Sequence, residues 1–161
     1  MDMRGRVQFK ILCIGCVALA TSLVITGAAG ADSVKISNAW ARATAPGQTT
    51  AVVYMELTSD TNAALVAAGT PLAQRAELHS MSTEGGIMRM RPLPRIELPA
   101  GKTVKLAPSG VHLMLIDLTQ PLKAGGKLPL ILSVQSSGTS LTTLTIEAEV
   151  RDATGTPAHS H

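Results

Sequence analysis

Aromatic side chains are nearly missing from this sequence: of 161 residues only 2% are Phe, Tyr or Trp, with one of each. Any core must therefore be aliphatic, with Trp40 and Tyr54 as its aromatic packing once the N-terminal segment is set aside. Charge is sparse as well, at 16% of residues and a formal net of +3. That balance supplies no basic stripe for nucleic acid. A hydrophobic content of 45% is too high for a disordered chain. No long stripe of period 3.6 is present, which removes a helical bundle. Cysteine is confined to Cys13 and Cys16.

The position of those two cysteines matters more than their C-x-x-C spacing. Residues 1 to 10 carry Arg4, Arg6 and Lys10, and residues 11 to 27 are almost wholly apolar before a run of small residues. This is the layout of a secretory signal, with Ala29-Gly30-Ala31 placing cleavage before Asp32. The apolar run is short of the roughly 20 residues that a membrane anchor needs. Lipid attachment at Cys16 is disfavoured because only five residues separate it from Lys10. The expected products are a signal peptide, residues 1–31, and a periplasmic chain that does not insert in the membrane. Without the signal the chain holds no cysteine and eleven basic against ten acidic residues. It can form neither a disulfide nor a thiolate metal site.

What remains is a series of short runs rich in Val, Leu, Ile and Thr. Strands are expected near 34–42, 50–58, 63–67, 74–82, 87–91, 103–106, 110–118, 127–135 and 141–150, separated by Gly, Pro and Ser clusters such as Glu84-Gly85-Gly86 and Pro108-Ser109-Gly110. Many short, punctuated strands predict an all-β sandwich or barrel with Greek-key connections. One such domain would span residues 32–151, leaving a polar tail over 152–161.

Histidine and methionine are distributed unevenly along these strands. His79 and Met81, Met88 and Met90, and His112 and Met114 form three pairs at a spacing of two, so both members of each pair share one strand face. The first two pairs flank Glu84-Gly85-Gly86, a candidate hairpin turn. If the turn centres on Glu84-Gly85, Met81 faces Met88 and His79 faces Met90; if it centres on Gly85-Gly86, Met81 faces Met90. Imidazole nitrogen with thioether sulfur suits a soft ion, foremost Cu(I). Thioethers need no deprotonation and cannot be lost to disulfide formation in an oxidising compartment. Zinc would favour Cys, His or carboxylate, and calcium or magnesium clustered oxygens. The plainer account of any one of these residues is a methionine filling core space or a hydrogen-bonded structural histidine.

The separations His79, ten residues, Met90, twenty-one residues, His112, one residue, Met114 match the H-x10-M-x21-H-x-M signature of the periplasmic PCu(A)C-type copper chaperones, which the chain resembles over nearly all of residues 34–150. The flanking segments Asn38-Ala39-Trp40-Ala41-Arg42-Ala43, Ala76-Glu77-Leu78-His79 and Gly110-Val111-His112-Leu113-Met114-Leu115 fit as well. The resemblance implies a cupredoxin-like fold and one Cu(I) held by His79, Met90, His112 and Met114. It also implies delivery of that copper to the binuclear copper centre of cytochrome oxidase, directly or alongside thiol-containing assembly factors. Met81 and Met88 fall outside the four and would be an auxiliary soft surface or core filler. Tail residues His159 and His161 would be a weak Cu(II) site or simply solvated.

Other function classes fit less well. A blue-copper electron carrier needs a cysteine thiolate, which the exported chain lacks. A periplasmic copper buffer or resistance protein would use the same site without delivery, and a sandwich serving only protein contacts would use none. No enzyme is expected: His79 and Ser80 point to opposite strand faces, and the few acids form no catalytic pair.

Overall fold

The computed structural model describes residues 33–136 and 140–152. The expected signal segment, the cleavage position and the tail histidines lie outside that range. The described chain forms ten strands: β1 (Val34–Arg42), β2 (Thr50–Ser59), β3 (Ala63–Gly69), β4 (Ala73–Glu84), β5 (Ile87–Pro92), β6 (Ile96–Leu98), β7 (Thr103–Leu106), β8 (Val111–Leu118), β9 (Lys127–Ser136) and β10 (Leu141–Arg151). No helix among the described residues is long and apolar enough to cross a membrane.

The strands join in the order β5-β4-β8-β2-β1-β10-β9-β3-β6, with β7 pairing the second half of β2. Three of the eight adjacencies, β5-β4, β2-β1 and β10-β9, join strands consecutive in sequence and the other five do not, as expected for a Greek-key sandwich rather than a meander. The sheet curls until β3 lies against β4. All pairings are antiparallel except β1 with β10, where Trp40, Ala41 and Arg42 register with Glu149, Val150 and Arg151. A register shift between Ser37 and Trp40 interrupts β1, with Asn38 at φ 50°; Asn accepts that left-handed backbone better than most residues.

Alternation sorts the side chains. On β2, Val53, Met55 and Leu57 are buried inward, and on β9 Leu128, Leu130, Leu132 and Val134 do the same. Met55, 1% exposed, is the methionine that does fill core space. Leu132 pairs with Leu144 on one side and Ala68 on the other, and is fully buried. Leu132→Ala is therefore expected to cost about 2–5 kcal/mol of stability, read as a lower urea midpoint with an unchanged slope. Among the described residues the aromatic packing is on the outer face: Trp40 and Tyr54 sit with ring centroids 4.6 Å apart, and the Arg151 guanidinium lies 5.3 Å from the Trp40 ring. Burial pushes the Tyr54 hydroxyl above its ordinary pKa, a shift that nearby Arg42 partly offsets.

Candidate metal centre

Three strands, β5, β4 and β8, carry the three histidine and methionine pairs side by side. The β4–β5 hairpin turns at Gly85-Gly86, whose φ values of 59° and 80° are both positive. A two-residue turn of this kind matches the strand twist and favours glycine at both positions. It fixes the register in which Met81 faces Met90 and Thr83 faces Met88, which is the second of the two alternatives that the sequence left open. Across the other edge of β4, His79 faces His112 and Glu77 faces Met114.

Directly opposed residues share a sheet face. One face therefore carries, in rows, Thr83 with Met88, Met81 with Met90, Pro92 with His79 and His112, and Glu77 with Met114. Val52, opposite Met114, continues this face onto β2, towards Tyr54 and Trp40. The register thus brings the four expected ligands onto one face, centred on the histidine pair, with Met90 and Met114 one row away on either side.

The histidine rings lie with centroids 5.9 Å apart and planes inclined by 46°. His112 is 2% exposed and its Nδ1 lies 3.2 Å from the Gly110 carbonyl. Since a carbonyl only accepts, Nδ1–H donates and the lone pair falls on Nε2. The same carbonyl accepts the Met81 N–H at 3.0 Å. His79 Nε2 lies 3.0 Å from Glu77 Oε2, so Nε2–H donates to the carboxylate and the lone pair falls on Nδ1. Glu77 is held in turn by Arg75, which also meets Asp117. The two lone-pair nitrogens, His79 Nδ1 and His112 Nε2, are buried and have no hydrogen-bond partner.

An unpartnered buried acceptor costs about 1–3 kcal/mol, and two occur here side by side. A metal ion shared between them removes that penalty. The outward hydrogen bonds to Glu77 and Gly110 set the tautomers that ligation needs. Among the described residues no three His, Cys, Asp or Glu side chains gather to hold a metal. The thioethers of Met90 and Met114 lie on the same face, one row from the histidine pair on either side. Tyr54, whose hydroxyl is pushed by burial still further above its ordinary pKa, offers no anionic oxygen at pH 7.

The role of Glu77 is the feature that sequence reasoning misses, although a spacing of two from His79 places it on the same strand face. Of the two readings of Met88, auxiliary soft surface or core filler, its 66% exposure removes the filler. Tail residues His159 and His161 lie outside the described residues.

Comparison with known proteins follows the fold. The LpqE-like family model matches residues 34–147. A Leifsonia xyli subsp. xyli protein named as a lipoprotein, Lxx21020, is 34% identical over 127 residues, spanning 78% of this chain and 76% of its own. Among solved structures, the Cu(I) form of DR1885 from Deinococcus radiodurans is 33% identical over 76% of this chain and 83% of its own, with a TM-score of 0.57. The copper-bound PCuAC domain of PmoF2 is 24% identical over 76% of this chain and 96% of its own, with a TM-score of 0.60. With the strand order, the buried histidine pair and these matches together, the chain belongs to the LpqE-like family and has the cupredoxin-like β-sandwich of PCuAC domains.

Proposed function

We propose that this protein is an exported copper chaperone that binds one Cu(I) through His79, Met90, His112 and Met114 and passes it to a copper-accepting partner. The carrying observation is the pair of buried, unpartnered ring nitrogens on a sheet face otherwise furnished with thioethers. The likeness to a protein solved with Cu(I) bound supports the same ion. Two neutral imidazoles and two neutral thioethers leave a monovalent soft ion its single charge and form no hard site for Zn²⁺ or Ca²⁺. Met90, 46% exposed, gives an incoming ligand a place to attack. That combination suits an ion carried and then surrendered, and no catalytic base is required.

Titration of the mature protein with Cu(I) against a competing chelator tests the reading; one equivalent bound per chain is expected, and binding no tighter than that of a His112→Ala, Met114→Ala double variant would refute it. Glu77→Gln should weaken binding by about tenfold, because the carboxylate orients His79 and raises its basicity, with thermal unfolding unchanged. Delivery to the copper centre of cytochrome oxidase is the proposed destination. A deletion strain starved of copper should then lose assembled oxidase; copper sensitivity with normal oxidase would point to buffering. Export with cleavage before Asp32 is read from the mass of the mature chain, where a lipid on Cys16 would refute that processing.

A further inference from the structure

We infer that Met88, Met90 and Met81 form a thioether ladder along which Cu(I) moves between solvent at the β4–β5 hairpin tip and the buried histidine pair. The inference rests on the copper reading of that pair and adds a route to it. Exposure grades along the face: Met88 is 66% exposed, Met90 46%, the His79 side chain 12% and His112 2%. The row of methionines therefore leads from the solvent-facing hairpin tip to the enclosed histidine pair.

Register supplies the rungs. Met88 and Met90 lie two residues apart on β5, about 7 Å along the strand, and Met81 is directly opposite Met90, about 5 Å away. Methionine has three rotatable bonds and a polarizable sulfur, so neighbouring thioethers on this face can hold one ion between them. Each step is ligand substitution: the Cu–S bond to Met90 or Met81 forms as the Cu–S bond to Met88 breaks. The ion remains Cu(I), and no proton or electron changes hands. The opposite face of the same hairpin is charged, with Arg89 and Arg91 both paired to Glu84. Charge and sulfur are thus segregated by strand parity within the hairpin, and the carboxylate on the methionine face, Glu77, lies beyond His79, which it holds by a hydrogen bond. Large apolar side chains at such exposure contribute little to a core, so their stability role does not account for them.

The test is kinetic. Mature protein loaded with one Cu(I) is mixed in a stopped-flow instrument with bathocuproine disulfonate, and transfer is followed optically for wild type, Met88→Leu and a Met81→Leu, Met88→Leu double variant. Leucine keeps apolar volume and removes only sulfur, and a small chelator needs no protein docking surface. Transfer should slow by about tenfold in the double variant, the effect of a modest rise in barrier, with equilibrium affinity and melting temperature unchanged. Wild-type rates in the double variant would overturn the ladder, as would faster transfer accompanied by weaker equilibrium affinity, which would make these sulfurs equilibrium ligands. Failure of the wild type to load Cu(I) at all would instead sink the reading of the site itself.

Discussion

His112→Ala is expected to lower Cu(I) affinity by about a thousandfold, equivalent to about 4 kcal/mol, with little change in fold. His112 is the most enclosed donor, 2% exposed, and its lone-pair nitrogen has no other use in the structure. Alanine removes the nitrogen and leaves a space beside His79 that water can enter, so no protein donor replaces it. Met114→Ala should cost less alone, because Met81, outside the four ligands, lies on the same face and can supply a substitute thioether. The two changes together should abolish measurable retention against a strong chelator. If the single His112 variant bound Cu(I) as tightly as wild type, the histidine pair would not be the metal centre.

The second large effect is on stability. Ligand that binds only the folded state stabilises it by about 4 kcal/mol when free ligand is a thousand times its Kd. The ring nitrogens of His79 and His112 come together only through β4–β8 pairing, so the unfolded chain offers no preformed site. Saturating Cu(I) under reducing conditions should therefore raise the melting temperature by roughly 10–20 °C. Satisfying the two unpartnered acceptors is one source of that affinity, since apo protein bears their desolvation. The His112→Ala variant should melt at one temperature with and without the ion. A wild-type melting point indifferent to Cu(I), under conditions where competition shows it bound, would mean that the ion sits on a part of the chain that does not unfold with the sandwich.

Much of this arrangement is legible in the residues before any coordinates. Nine of the ten strands announce themselves through β-branched runs and Gly or Pro punctuation. β6 does not: Ile96-Glu97-Leu98 is three residues between Pro94 and Pro99, too short for alternation to register. Pairing order is hidden for a different reason. The Gly85-Gly86 turn announces that β4 pairs β5, but that β8 takes the other edge of β4 is decided by packing of the whole aliphatic core, and no local signal encodes it.

The site shows the same division. Spacing of two placed each histidine and methionine pair on one face, but the hairpin register required the turn, and only the positive φ at Gly85 and Gly86 selects it. Which ring nitrogen of each histidine is free depends on Glu77 and on the Gly110 carbonyl. The first was visible in the sequence as a carboxylate two residues from His79; the second is a backbone atom and carries no residue signature.

The parallel pairing of β1 with β10 has a consequence for folding kinetics. It joins Trp40 to Glu149, residues separated by most of the domain, and such closures are entropically expensive and form slowly. The sole tryptophan of the chain stands at that seam, stacked against Tyr54 and beneath Arg151. Its emission therefore reports the meeting of the two ends of the domain, expected among the slow events of refolding, at one position without any introduced label.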